Sequence, residues 1–149
     1  MAREATSVSR GIEGSNGIAG TIVFLGRLFF TLMFIMSGPN HFSKQMIGYA
    51  AAQGVPLASL AVPISGVLAF LGGLSILLGY RAKIGAWLIV LFLVPVTLTM
   101  HKFWGVADPM MAQNQMIHFW KNIVMAGASL MIYYFVTLHP EPWPYSLGR

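Results

Sequence analysis

Residues 57–79, "LASLAVPISGVLAFLGGLSILLG", contain no charged side chain in 23 positions. A helix rises about 1.5 Å per residue, so a run of this length crosses the hydrocarbon of a bilayer with some tilt. Three other apolar runs lie at 18–38, 84–100 and 116–138, the first interrupted by Arg27 and the last carrying Lys121 in its opening turns. Sheet edges have no partners in lipid, and runs this long are not barrel strands. The pattern therefore predicts an all-α fold, a polytopic membrane four-helix bundle. Composition agrees: charged residues make up 9% of the chain, against about 25% in soluble domains.

The segments between the spans divide the chain. Residues 1–17 read as a short, mobile polar tail, 18–138 as the membrane domain, and 139–149 as a proline-rich tail. The first segment lacks the early apolar core of a secretory signal, so the first span is expected to be retained. Between spans one and two, Phe42, Met46, Tyr49 and Ala50 recur at helical spacing, with Gly54 and Pro56 closing the stretch. This predicts a short interfacial amphipathic helix. Prolines 140, 142 and 144 keep the C-terminal tail extended, with Trp143 and Tyr145 as headgroup-level anchors. Pro63 and Pro95 fall inside spans, and Thr97 and Thr99 are placed to satisfy backbone groups freed near Pro95.

The basic residues are scattered between spans rather than gathered on one solvated face, so the net charge of +5 does not indicate nucleic-acid binding. It reads as orientation. Arg3, Arg10, Arg81, Lys83 and Arg149 share one side with the termini, and Lys44, Lys102 and Lys121 the other. The bias places both termini in the cytoplasm of an inner-membrane protein. Arg27 lies about two turns into the first span and is expected to snorkel to headgroups, the sharper alternative being an interior charge beside a ligand or partner. Cysteine is absent, which excludes disulfides, thiol chemistry and thiolate-held clusters.

Counting crossings brings "SGPNHF", "MHKFW" and "QNQMIHFWKN" to one membrane face. There His41, His101 and His118 gather with Asn40, Lys44, Lys102, Asp108, Gln113, Gln115, Lys121 and Asn122, flanked by Trp104 and Trp120. Gln115, His118 and Asn122 stand at i, i+3 and i+7 on one helix stripe, with Lys121 beside it. Lipid does not tolerate such a strip, so its deeper members are expected to face protein. An interfacial packing role for these residues competes with a chemical one. No metal is expected: the histidines and Asp108 come from separate elements with no compact i, i+4 pair.

On these residues the chain resembles the DoxX family. The likeness runs from "GRLFFTLMFIMSGPNHF" in span one through "GVPL" and "GLSILLGYRAKIGA" to "HKFW" and "HFWKN". His41 departs from it, standing where the family often has lysine. The resemblance implies four spans and, in some members, association with quinone-linked sulfur oxidation or a membrane oxidoreductase complex. Three functions then compete. The first is a non-catalytic accessory subunit of a larger membrane complex, or a homo-oligomer. The second is a quinone-binding subunit, with His101 and His118 as proton relay, Lys121 and Asn122 at a carbonyl, Gln115 and His41 nearby and Trp104 and Trp120 as ring walls. The third is a small-molecule or ion pathway. A quinone is the one cofactor these readings imply.

Overall fold

A computed structural model describes residues 2–139 and 141–148, with side chains described from Gly17 onward. Helix α1 covers Ala2–Ser37 and leads through a 3₁₀ turn, Gly38–Phe42, to α2, Lys44–Ala52. Three further helices follow: α3 (Ala58–Leu78), α4 (Ala82–Met100) and α5 (Pro109–Leu138). The described residues contain no strand. Four helices are long and apolar enough to cross a membrane, over Gly17–Phe42, Ala58–Leu78, Ala82–Met100 and Pro109–Leu138. The segment read as a polar tail has a helical backbone continuous with the first span, and its side chains up to residue 16 lie outside the described residues.

The helix boundaries have local causes. Ser43 caps α2, its hydroxyl accepting from the Met46 N–H at 3.2 Å. The short helix expected between spans one and two is thus present. α3 ends at Gly79 in the left-handed region, φ 66°, with Tyr80 N–H bonded back to the Ser75 carbonyl at 3.1 Å. α5 begins seven residues before the apolar run at 116–138, because Asp108 caps it from outside: its carboxylate accepts from Met111 N–H at 2.7 Å, with Pro109 in the first turn.

α4 continues unbroken through Pro95. Thr97 and Thr99 do not serve the carbonyl freed by that proline, Leu91. Each bonds four residues back, Thr97 to Leu93 at 2.6 Å and Thr99 to Pro95 at 2.7 Å.

α3 and α4 form the centre, with α1 against α3 and α5 against α4. Phe34, Ala69, Ile76, Ala86, Ile89, Phe92 and Leu93 make the buried core. Lipid tails are as apolar as the side chains, so close approach rather than hydrophobic exclusion holds such helices together. The glycines of α3 are used inside the chain for this purpose. A Cβ on Gly72 would stand 3.0 Å from the Gly85 carbonyl and 2.9 Å from Ile89, and one on Gly73 would press on Ile35 and Phe34 of α1. Among the described residues α1 and α5 share no comparable seam, and an apolar groove opens between them.

Candidate functional site

At the end of the bundle where α1 and α4 finish and α5 begins, a cavity of about 450 Å³ opens among the 3₁₀ turn, α2, α3, α4 and α5. Its wall is mostly apolar, with Phe92, Leu93 and Val96 from α4, Val62 from α3 and Met46 from α2. Its polar members include His41, His101, Lys121 and Asn122. Asn122 is 5% exposed, and its amide makes no side-chain hydrogen bond among the described residues. Asn122 lines the cavity, so a ligand or water there can reach its amide.

His101 is tethered. Its Nδ1 donates to Gln115 Oε1 at 2.9 Å, which leaves Nε2 for a ligand or water. Its ring stacks on that of His118, with centroids 5.2 Å apart. Lys121 Nζ donates to His118 Nδ1 at 3.2 Å, so neutral His118 carries its proton on Nε2. Gln115, His101, His118 and Lys121 thus form one contiguous polar string, from which His101 and Lys121 reach the cavity wall.

His41 joins from the 3₁₀ turn. Its Nδ1 donates to the Ser37 carbonyl at 3.0 Å, and its ring meets Phe92 edge-on. It sits tight on α3 only because position 66 is glycine: a Cβ there would stand 2.6 Å from His41 Cβ.

Two expected members lie elsewhere. Trp104 and Trp120, 53% and 55% exposed, do not line the cavity. They flank Phe119, which also packs on Phe103, in an outward aromatic cluster. Asp108 is occupied in capping α5, and no group of three or more potential metal-ligating His, Asp or Glu side chains occurs among the described residues. Tyr49, Ser65, Phe92 and Met100 line the cavity without having been singled out as site residues. For Tyr49 a signal existed in the apolar stripe it shares with Met46 and Ala50. That stripe suits a lipid surface and a cavity wall equally, so the sequence does not separate them.

At the other end the Arg27 guanidinium is covered by the C-terminal tail rather than left open to solvent. The residue is 4% exposed, and its Nη2 donates to the Pro144 carbonyl at 2.6 Å. Trp143, expected as a headgroup anchor, lies instead against the guanidinium, 5.3 Å from ring centroid to carbon.

Four membrane-spanning helices around a polar-ended cavity define a small multi-pass helical membrane protein. The chain belongs to the DoxX family, whose sequence pattern matches residues 22–102, more than half of its length. The match ends within the α4–α5 loop, so the "HFWKN" of α5 lies beyond it. The chain is also 29% identical over 116 residues to the inner membrane protein YphA of Escherichia coli strain K12, covering 74% of this chain and 80% of that protein. No solved structure matches it.

Proposed function

We propose that this DoxX-family chain holds a lipophilic quinone in the loop-side cavity, as a subunit of a membrane oxidoreductase. One observation carries the reading. The cavity of about 450 Å³ is apolar over most of its wall, yet His101, Lys121 and Asn122 bring polar side chains to it. A quinone needs this combination of an apolar slot for ring and tail and donors at the carbonyl oxygens. Two-electron reduction also adds two protons, one at each oxygen. Lys121 is exposed, lines the cavity and is bonded to His118, so a proton can pass from the membrane face through His118 and Lys121 to a cavity ligand, while the stack holds the His101 ring in place. The sequence supplies no thiolate for an iron–sulfur cluster, so the electrons are assigned to a partner protein or its redox group. By analogy with the Escherichia coli relative and from the Lys/Arg bias, we assign the inner membrane with both termini cytoplasmic.

Native mass spectrometry of the protein released gently from its own membranes tests this. A stoichiometric adduct of quinone mass is expected, lost in Asn122→Leu and His101→Leu. A parent chain that carries no quinone and takes up none from added short-chain quinone overturns the reading.

A second reading, an accessory subunit with no ligand of its own, draws support from α5. That helix packs extensively only on α4 and leaves Ile117, Val124 and Met131 facing outward. A partner that co-purifies with the parent and is lost from Val124→Trp, while quinone is absent from both, would favour it.

A further inference from the structure

The end of the bundle opposite the cavity carries a separate cluster. Arg27 Nη2 donates to the carbonyls of Pro144 at 2.6 Å and Tyr145 at 3.4 Å. Its Nε and Nη1 are buried with no acceptor, and Trp143 Nε1 and Ser146 Oγ are buried without partners as well, among the described residues. These groups belong together. The Arg27 guanidinium lies over the Trp143 ring, and a Cβ on Gly79 would stand 2.7 Å from Arg27 Nη1 and 2.5 Å from Ser146 Cβ. Only glycine at position 79 leaves that space.

The cluster therefore encloses a full positive charge among neutral carbonyls, with idle N–H and O–H groups around it. Among the described residues it lacks acceptors and negative charge, and an anion supplies both. Its depth identifies the source. Gly79 closes α3, and Leu147 N–H bonds to the Leu78 carbonyl at 2.8 Å, so the cluster is level with the α3–α4 turn and its Arg81 and Lys83. That is where the headgroups of the adjoining leaflet lie. From Arg27 an apolar groove of about 620 Å³ runs between α1 and α5, lined by Val23, Phe30, Met131, Phe135 and Trp143.

We propose that Arg27, Trp143 and Ser146 form the headgroup site for the phosphate of an anionic phospholipid, with one acyl chain in the α1–α5 groove. The planar guanidinium donates to the two non-bridging phosphate oxygens, and the indole N–H and serine hydroxyl donate to the remaining lone pairs of the same two oxygens. The Pro144 and Tyr145 carbonyls occupy part of that place, so the tail shifts outward when the phosphate enters. Besides the Arg27 bonds that the phosphate would replace, the tail is held by the Leu147–Leu78 hydrogen bond, by Pro144 against Gly20 and by aromatic contacts of Trp143 with Phe135 and of Tyr145 with Phe24.

The test uses the full chain, delipidated in non-ionic detergent and titrated with phosphatidylglycerol and with phosphatidylcholine of the same acyl chains. Occupancy is read by native mass spectrometry. Phosphatidylglycerol is expected to bind roughly tenfold tighter or more, with the preference lost in Arg27→Gln and partly kept in Arg27→Lys. The double variant Trp143→Phe, Ser146→Ala keeps the charge and the ring and should weaken phosphatidylglycerol about tenfold. It decides the matter if Arg27→Gln does not fold. Equal affinity for the two lipids overturns the proposal, as does a preference unchanged in the double variant. Displacement of bound lipid by inorganic phosphate would assign the cluster to a free anion and likewise overturn the lipid site.

Discussion

The imidazole of His101 lies stacked on that of His118, ring centroids 5.2 Å apart and planes 29° from parallel. The two rings come from different elements, His101 from the C-cap of α4 and His118 from the third turn of α5. Each is held by its own neighbour, His101 by Gln115 and His118 by Lys121. The stack and the two side-chain bonds together orient both rings, and no hydrogen bond joins one ring to the other among the described residues.

Replacing His118 by Gln should leave ligand binding within about twofold, since His118 does not line the cavity, and slow quinone-linked turnover on the order of 100-fold. Turnover measured with a short-chain quinone, beside binding of the same quinone, separates the two effects. Unchanged turnover would remove His118 from the relay.

Gln115→Leu removes the acceptor that orients His101 at 2.9 Å. The ring is then free to turn, and quinone affinity should fall about tenfold with little loss of assembly. Gln115→Glu, which keeps an acceptor, should retain most of the affinity. Equilibrium binding to the two purified variants checks this, and equal losses in both would count against orientation as the role.

Asn122→Leu removes an amide that lines the cavity, on a side chain 5% exposed. Thermal unfolding in detergent should occur at the parent temperature or above it, because no protein hydrogen bond is lost. Quinone affinity should nevertheless drop about tenfold. A marked fall in stability would mean that the amide serves the bundle.

Gly72→Leu drives a side chain into the Gly85 carbonyl and Ile89 at the α3–α4 seam. Overpacking of this kind destabilises by about 1–3 kcal/mol. The unfolding midpoint should fall, with cavity binding by the remaining folded protein unchanged. A midpoint equal to the parent's would show that the seam opens without cost.

Asp108→Ala should destabilise α5 by about 1 kcal/mol, while Asp108→Asn should be near neutral because asparagine caps equally well. Denaturation midpoints for the pair distinguish capping from any role of the carboxylate charge.

The amino-acid sequence by itself determined the lipid-facing character of this chain and its four crossings, because apolar runs of 17 or more residues have few alternatives to a spanning helix. It also brought His41, His101 and His118 to one membrane face, since successive spans alternate in direction and spans one and three end on the same side. The start of α5 was legible too, in Asp108–Pro109, but hydropathy alone places it later because the first turns are polar. Tertiary structure decided the rest. The polarity of the strip already turned Asn122 inward, but hydropathy gives no exact rotation about a helix axis, so only packing set Trp120 outward and left Lys121 exposed. Nor does it say what roofs a charge: Arg27 is two turns deep by count, yet contacts far along the chain, with Gly79 and the Trp143–Ser146 tail, enclose it. Helix spacing is a local property written residue by residue, whereas the facing of side chains depends on where the neighbouring helices settle.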